Sequence, residues 1–441
     1  MASRAILVLW QFAVFASALL ATGANGMDRD GRGDHPSKRA ATGKTLGRVE
    51  GRVMKAWYWP ANGRRVHLKD HEPVVIEDGR FAFDHVPATY ELWVEGQPEA
   101  PLTVYRGLTR RDPVLIHSPS FVTALDEPSR KATISGIVRG DFPFPIDKGY
   151  RLSFYFLSNR TQGHWWMGQQ GQSLGPRFGR MKVAWNGEPS ITGTLVALGG
   201  HADKDKRWNE AYLASRLVEL TDKGEAIEEI MLARIETGRI AGEVKAPDYR
   251  SWNGYVAFQL SGNRGEIDLN CTLKLGRYDC TVPDLSPLGG EYCIDMIDGE
   301  VGGGGVKHCG GKIGMTDFSI KLEAPPKLKA LDKPGFISKT TVLAWSGDEK
   351  AVYAVDIRPD IAAGVAWFEF RLYLAGPRLA WPNIEDYGVK APAGSKVKVH
   401  ISRLFPYRSV DELAGASGPL SATVEYQRAT SLPVELTVTD Q

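Results

Sequence analysis

A five-residue phrase with a glycine at its centre occurs three times in this chain of 441 residues. The copies are Val49–Val53, Ile134–Val138 and Ile240–Val244, centred on Gly51, Gly136 and Gly242. Apolar ends around a glycine are typical of a β-strand whose outer side chains face one core, while the glycine leaves room on the same face. The copies are separated by the length of a small domain, beyond the roughly 20–50 residues of a solenoid repeat. The pattern predicts a row of similar β-modules.

A second phrase follows the glycine strand in two of the three segments. Its copies are Asp78–Pro87 with Tyr90–Val94, and Gly276–Pro283 with Tyr292–Ile294. In the first copy, Asp78-Gly79 predicts a tight hairpin turn with positive φ, and Phe81 and Phe83 follow on one strand face. Together the phrases resemble the carboxypeptidase regulatory-like (transthyretin-like) β-sandwich domain. The resemblance covers residues 46–118 well and 238–324 in part. Within 132–236 it covers only the opening strand and an Asn186-Gly187 turn.

This resemblance implies an all-β fold of tandem β-sandwich modules. Residues 338–441 lie outside it but carry strand candidates of their own, which brings the expected row to four modules. These candidates are Thr340–Ala344, Ala351–Ile357, Ala366–Leu374, Lys396–Ile401 and Val434–Val438. Residues 207–233 fit either one helix or two strands around a turn at Asp222–Glu225, and we favour strands. The resemblance indicates a fold rather than an activity, because this fold accompanies peptidases, surface proteins and sugar-binding proteins alike.

The N-terminus has the features of a secretion signal. Arg4 precedes an apolar run, Ala5–Ala21, and small residues that suit cleavage follow it. A retained signal anchor is the alternative, but no other stretch approaches the roughly 20 apolar residues of a membrane helix. We expect an exported chain, secreted, periplasmic or at the cell surface, with no membrane span after signal removal. The predicted segments are a signal peptide 1–26, a disordered linker 27–44, modules 45–120, 132–236 and 238–324, a Pro- and Lys-rich linker 325–337, and a C-terminal β-module 338–441.

Composition narrows the class of protein. The formal net charge of +2 gives no basic field, so a nucleic-acid partner is not expected. Hydrophobic residues make up 43% and charged residues 24%, as in ordinary globular proteins. Each predicted module is also too short to hold an α/β-hydrolase or barrel fold. We therefore expect neither a catalytic domain nor a cofactor.

All four cysteines lie in the third predicted module: Cys271, Cys280, Cys293 and Cys309. In an exported chain this pattern predicts local disulfides. A two-residue turn at Leu275-Gly276 would place Cys271 opposite Cys280 in a hairpin, where Cα atoms about 4.5 Å apart suit a disulfide. Cys293 and Cys309 would then close the loop 298–305. A zinc site is the alternative, but the spacings contain no Cys-x-x-Cys knuckle, and we predict no metal.

Two short motifs admit a catalytic or metal-binding interpretation. Gly171–Gly175 matches the G-x-S-x-G nucleophile elbow around Ser173, but that motif needs a buried strand before the serine and a helix after it. Neither flank has that pattern, so a secreted serine hydrolase is the third hypothesis only. His67 and His71 would share a metal on a helix, whereas a strand separates them by about 13 Å. A solvated strand end is the preferred interpretation of that pair.

The preferred binding candidate is an aromatic segment of the second module. It consists of His164, Trp165, Trp166, Gln169 and Gln170. Adjacent tryptophans cannot both enter one core from an extended backbone, so at least one is expected to be exposed or to cap a junction between modules. Exposed rings beside amide groups suit sugars, whose apolar faces stack and whose hydroxyls form hydrogen bonds. In Trp57–Pro60, alternation directs Tyr58 outward as a further candidate.

Two hypotheses of function follow. In the first, an exported, non-catalytic, carbohydrate-binding-like protein holds a glycan or cell-surface polymer at the aromatic segment. In the second, the chain is a structural or protein-interaction component of the cell envelope, whose sandwich edges and loops dock another envelope protein. Exposed rings at Trp165 and Trp166 favour the first hypothesis, and rings buried between modules favour the second.

Overall fold

Almost all regular structure is β-strand, which confirms the all-β prediction. The computed structural model describes residues 46–55, 59–96, 102–117, 130–144, 150–159, 166–168, 171–172, 175–185, 188–202, 207–247, 252–263, 265–298, 304–359, 369–381, 384–389, 391–415 and 426–439. Within these ranges one four-residue α-helix, α1 (Val410–Leu413), accompanies short 3-10 turns at Ser286–Leu288 and Ile384–Tyr387. No helix in them has the length and apolar character that a membrane span needs. The predicted signal peptide 1–26 and linker 27–44 lie outside them.

The segments that carry the glycine phrase contain strands β1 to β23. The first has β1 (Gly47–Lys55), β2 (Trp59–Pro60), β3 (Arg65–Leu68), β4 (Val74–Val75), β5 (Arg80–Val86), β6 (Tyr90–Val94), β7 (Leu102–Leu108) and β8 (Val114–His117). The second has β9 (Arg130–Gly140), β10 (Tyr150–Ser158), β11 (Trp166–Gly168), β12 (Gly171–Gln172), β13 (Arg177–Trp185), β14 (Ser190–Ala202), β15 (Trp208–Thr221) and β16 (Glu225–Ile235). The third has β17 (Thr237–Lys245), β18 (Trp252–Leu260), β19 (Ile267–Leu273), β20 (Gly276–Pro283), β21 (Gly290–Asp298), β22 (Gly305–Gly311) and β23 (Ile320–Lys321).

The three segments share one strand order. In each, the glycine strand (β1, β9 or β17) lies between an antiparallel neighbour (β5, β13 or β20) and a parallel last strand (β8, β16 or β23). The facing sheet has the order β4-β3-β6-β7, β12-β10-β14-β15 or β19-β18-β21-β22. In the second segment β15 also pairs with β16, which joins the two layers into one continuous sheet. Apolar side chains fill the space between the two layers of each segment. The repeat therefore extends to topology, including the second segment, where the resemblance is thin.

Each central glycine lies opposite an aromatic residue of the neighbouring strand. The pairs are Gly51 with Phe81, Gly136 with Phe178, and Gly242 with Tyr278. A Cβ placed on Gly51 would lie 2.3 Å from the Phe81 ring, and one on Gly136 would lie 2.7 Å from the Phe178 ring. Because glycine has no side chain, the aromatic ring of the neighbouring strand can pack over its Cα. At these two positions the predicted room on the core face is confirmed.

The C-terminal segment contains a strand within every candidate predicted for it. Its strands are β24 (Phe336–Ile337), β25 (Val342–Ala344), β26 (Val352–Pro359), β27 (Phe370–Ala375), β28 (Arg378–Ala380), β29 (Lys396–Phe405), β30 (Tyr426–Thr430) and β31 (Val434–Val438). Four of them continue the outer strands of two sandwiches in the order β7-β27-β26-β29-β30-β22. The segment therefore lies between the first and third segments and covers both sheet edges. The number and boundaries of the modules stay predictions.

Both predicted disulfides are present, Cys271–Cys280 and Cys293–Cys309. The hairpin register that led to the first pairing is wrong. Strand β19 pairs with β18 and β20 pairs with β17, so the two cysteines belong to facing sheets. Both are buried, since the bond crosses the sandwich core instead of lying on one ladder. The bond therefore ties the two sheets of the third sandwich together.

The predicted turns have the expected backbone but different strand partners. Asp78 and Gly79 adopt φ values of 48° and 70°, as a tight turn requires. Glu77 and Arg80 on either side exchange both backbone hydrogen bonds, at 3.2 and 2.8 Å, which confirms the tight turn. The ladder does not extend beyond this bridge, because β4 pairs with β3 and β5 pairs with β1 in the facing sheet. Residues 207–233 form two strands around Lys223, at φ 61°, which confirms strands over a helix.

A buried ion network lies on the C-terminal sheet. Arg371 Nε donates to Asp356 Oδ1 at 2.5 Å, and Arg428 Nη2 donates to Asp356 Oδ2 at 2.9 Å. Arg428 Nε also donates to Ser402 Oγ at 3.1 Å. Burial alone would raise the pKa of Asp356, but the charges of Arg371 and Arg428 outweigh it and hold that pKa below its ordinary value. Asp356 therefore links β26 to both β27 and β30.

Asp411 fastens α1 to the first sandwich. Its Oδ1 accepts hydrogen bonds from the Thr109 and Arg110 amides at 2.8 and 3.0 Å, and its Oδ2 accepts one from the Thr109 hydroxyl. Burial raises the pKa of this carboxyl, but these hydrogen bonds and the charge of Arg110 outweigh burial and leave the pKa below its ordinary value.

Asp411→Asn is expected to lower the free energy of unfolding at neutral pH by on the order of 1 kcal/mol, and the thermal midpoint should fall with it. A depressed folded pKa stabilises the protein above the unfolded pKa of about 3.9, and this contribution disappears as the pH falls through the folded value. The difference between variant and parent should therefore shrink below about pH 4. Thermal melts followed by circular dichroism, recorded from acid to neutral pH, measure this difference in stability. Asp112→Asn, at an exposed neighbouring carboxylate, is the control. A difference that does not change with pH would contradict this role.

Candidate functional site

The binding residues predicted from sequence are mostly outside the described part of the chain. This holds for His164, Trp165, Gln169, Gln170 and Tyr58, and also for Ser173 of the elbow motif. Trp166 opens β11, whose backbone pairs with β13 opposite Trp185. The assignment of these residues to a ligand site stays a prediction.

A different aromatic group lies on the first sandwich, and we call it the aromatic strip: His67, Trp93 and Tyr387. Alternation positions its first two members. In β3 and β6, Val66, Leu68, Leu92 and Val94 enter the core, so His67 and Trp93 point to the opposite face of the sheet. Tyr387 comes from the 3-10 turn Ile384–Tyr387 of the C-terminal segment. The strip is therefore completed only when the C-terminal segment packs on the first sandwich.

The rings of the strip are in contact. The His67 and Trp93 rings are stacked, with centroids 5.1 Å apart and an interplanar angle of 11°. Tyr387 meets Trp93 edge-to-face at 5.3 Å. All three residues are partly exposed, and the His67 side chain keeps 19% of its surface accessible. Trp93 and Tyr387 also pack against the buried residues of the C-terminal segment, so the strip leaves only part of its ring surface next to solvent.

Charged groups border the strip on both sides. Tyr387 donates to Glu91 Oε1 at 2.6 Å and accepts from Arg106 Nη2 at 3.2 Å. Burial, and then the charge of Glu91, raise the pKa of Tyr387 above its ordinary value, so its hydroxyl stays protonated. At the other end, Glu95 Oε1 lies 2.8 Å from His67 Nε2 and 2.9 Å from Arg65 Nε. The border supplies carboxylate acceptors and guanidinium donors.

This chemistry is that of stacking and hydrogen bonding. Aromatic faces attract the apolar C–H faces of a ligand, and the surrounding carboxylates and guanidinium groups can pair with its hydroxyls. Each polar group of the border already has a fixed partner within the protein, so the site is preorganised. Preorganised rings lose little entropy when a ligand binds.

Among the residues that the structure describes, potential metal ligands do not assemble around His67 and His71. His71 bonds through its two ring nitrogens to backbone carbonyls, Lys69 O at 3.0 Å and Asp84 O at 3.1 Å, while His67 pairs with Glu95. Among the described residues, one group of three potential ligands lies close together: Glu291, Cys293 and Cys309. The two sulfurs of that group form a disulfide and offer no thiolate.

A buried polar cluster in the third sandwich was not foreseen. Lys307, whose side chain is 3% exposed, bonds to Glu266 at 2.6 Å and to Gln259 at 3.0 Å. Tyr255 donates to the other oxygen of Glu266, and burial, followed by the charge of Glu266, raises the pKa of Asp295 to about 6. The groups satisfy one another inside the fold, and we interpret the cluster as structural.

Comparison with known proteins adds little about function. No family model and no curated protein matches the chain, so the resemblance to the carboxypeptidase regulatory-like domain stays a prediction. A solved streptococcal ancillary pilin is similar at 11% identity and a TM-score of 0.16, covering 62% of this chain and 98% of the pilin. A leucine-rich repeat protein from Bacteroides thetaiotaomicron is similar at 7% identity and a TM-score of 0.17. The match covers 44% of this chain and 26% of the repeat protein. At such scores neither likeness bears on what this chain does.

Proposed function

We propose that the chain is an exported, non-catalytic β-sandwich protein of the cell surface that binds a glycan or cell-surface polymer. The observation that supports this proposal most is the aromatic strip with its border of paired charged groups. Two disulfides in one sandwich are typical of proteins that work outside the cytoplasm. The tryptophans Trp165 and Trp166 would be a second contact with the same class of ligand.

The chemistry of the strip suits a sugar better than it suits a purely apolar ligand. A sugar ring offers an apolar face to the part of the Trp93 ring that His67 and the C-terminal segment leave exposed. Its hydroxyls can donate hydrogen bonds to Glu91 and Glu95. A purely apolar ligand would remove water from these two carboxylates and offer them no hydrogen bond in return, which costs free energy. The mixture of rings and charged acceptors therefore favours a ligand that is apolar on its faces and polar around its edge.

The second candidate is a structural or protein-interaction role in the cell envelope. Hydrogen bonds between neighbouring sandwiches favour this role. Trp208 Nε1 donates to Leu269 O at 2.8 Å, and Asn263 Nδ2 donates to Leu157 O at 2.7 Å, across the contact between the second and third sandwiches. With the shared sheet, these contacts give a stiff body that suits a scaffold.

Trp93→Ala is expected to weaken glycan binding about tenfold, because an aromatic contact contributes on the order of 1 kcal/mol. A glycan array on the full mature chain identifies ligands, and titration calorimetry of the best one measures the loss. Trp93→Tyr, which keeps a ring, should retain most of the affinity. Phe336→Ala removes an exposed aromatic residue elsewhere and serves as the matched control.

Trp165→Ala and Trp166→Ala extend the same test to the second sandwich. If no glycan binds the parent chain, or if all three tryptophan variants bind as the parent does, glycan binding is the wrong function. The envelope-interaction role would then be the better account.

A further inference from the structure

A groove of about 940 Å³ lies on the first sandwich, along the sheet that faces away from the aromatic strip. The strands β1 and β5 form its floor, and the turn between β4 and β5 and the start of β8 form its walls. Its lining mixes charged side chains with exposed apolar ones, among them Val75, which is 50% exposed. The groove is separate from every residue discussed above as a ligand contact.

Two arginines face each other on the floor of this groove. Arg52 of β1 lies directly opposite Arg80 of β5, and both are exposed. Neither forms an ion pair with any residue that the structure describes. The neighbouring Arg48 differs, since it pairs with Glu50 at 2.6 Å and with Asp84 at 3.1 Å. Like charges directly opposite on a sheet repel each other, so an anion placed between them would be stabilised by both.

The rest of the lining restricts which anion fits. Three arginines line the groove together with four carboxylates: Glu50, Glu77, Asp78 and Asp112. A polymer with dense negative charge would be repelled by these acids, whereas a ligand with a single carboxylate per unit would not. The acids can accept hydrogen bonds from ligand hydroxyls, and Met54, Val74 and Val114 offer apolar contact. A sugar acid has all three features that this lining calls for: one carboxylate per unit, hydroxyl donors and an apolar face.

We propose that this groove binds a carboxylate-bearing sugar unit of a glycan, with Arg52 and Arg80 sharing the carboxylate. The proposal rests on the glycan-binding function but uses a separate face of the first sandwich. A planar carboxylate matches the forked geometry of guanidinium groups, which form two parallel hydrogen bonds to it. The first sandwich would then hold a polymer at two faces, by stacking on one and by charge on the other.

The test is calorimetric titration of the full mature chain with an oligosaccharide that carries a single galacturonic acid unit among neutral sugars, and with the methyl ester of the same oligosaccharide. The acid should bind, its affinity should fall with rising salt, and the ester should bind at least about tenfold more weakly. Arg52→Gln and Arg80→Gln should each weaken acid binding about tenfold, whereas Arg378→Gln, which removes an exposed arginine outside the groove, should not. Because they remove a repulsion, the first two variants should melt no lower than the parent, which controls for folding.

Equal affinity for acid and ester, or unchanged acid binding by both variants, would overturn the proposal. So would absence of acid binding. Trp93→Ala separates this proposal from the function it rests on. Neutral glycans that depend on Trp93, together with acid binding indifferent to Arg52 and Arg80, would reject the groove and keep the function. Acid binding that depends on both arginines, in a chain that binds no neutral glycan, would support the groove and reject the strip.

Discussion

Asp356→Ala is expected to lower the free energy of unfolding by about 3–5 kcal/mol, the usual cost of removing one partner from a buried ion network. The carboxylate is 3% exposed and neutralises two guanidinium groups, of Arg371 and Arg428. Alanine would leave both charges facing each other in a site that water hardly reaches. Because Asp356 links β26 to β27 and β30, the loss should fall on the sheet that joins the first and third sandwiches.

Urea titration followed by near-ultraviolet circular dichroism measures this loss. Asp84→Ala is the matched control, because Asp84 also pairs with an arginine, Arg48, at 3.1 Å, but both side chains are more than half exposed. An exposed pair contributes little, so that variant should unfold with the parent. If Asp356→Ala unfolds with the control, the network does not hold the sheets together. Should Asp356→Ala fail to fold at all, Arg428→Met, which removes one of the two charges, still reports on the network.

The sequence specified the sandwiches well because their signals are local. Alternation in Tyr90–Val94 distinguishes core residues from outward ones without any knowledge of the partner strand. The glycine phrase carries a tertiary constraint in all three copies, since a Cβ would meet the Phe81 ring at Gly51, the Phe178 ring at Gly136 and the backbone of Phe318 at Gly242. In the second segment, where the family resemblance is thin, local patterns predicted the opening strand and the two strands over 207–233.

Strand partners were harder to predict because they depend on residues distant in sequence. Leu102–Tyr105 of β7 pairs with Phe370–Tyr373 of β27, and nothing in either stretch encodes the other. The cysteines illustrate the same limit. The assumed hairpin of β19 and β20 led to the right pairing of Cys271 with Cys280 through a wrong register, since the two strands belong to facing sheets. In a sandwich, consecutive strands often belong to facing sheets.

The candidate site shows both sides of this limit. The outward position of Trp93 is readable from the alternation of β6, and so is that of His67 from β3. The role of Tyr387 cannot be read from the sequence, because Tyr387 reaches the strip from the opposite end of the chain. The same holds for the cross-strand pair of Arg52 and Arg80, whose register follows from the Gly51–Phe81 pairing only once the sheet is known.

Gly136→Ala is the substitution that tests the repeated phrase most directly, and we expect it to cost about 3 kcal/mol, at the upper end of overpacking losses. A Cβ at this position would lie 1.9 Å from the backbone oxygen of Glu228 and 2.7 Å from the Phe178 ring. A ring can tilt, but the oxygen belongs to β16, which pairs with β9 in parallel. Relief of the clash therefore requires movement of a whole strand.

Gly179→Ala is the matched control, since Gly179 also lies in this sandwich, on β13, and a Cβ there would meet nothing within 4 Å. Its urea midpoint should equal that of the parent or exceed it slightly, because alanine is less flexible than glycine in the unfolded chain. Gly51→Ala should cost less than Gly136→Ala, because its nearest obstacle, at 2.3 Å, is the Phe81 ring, and the nearest backbone atom, Pro113 O, lies at 2.7 Å and not at 1.9 Å. If Gly136→Ala and Gly179→Ala unfold together, the glycine at the centre of the phrase is not required by packing. The three copies would then share a sequence pattern without sharing the constraint that we infer from it.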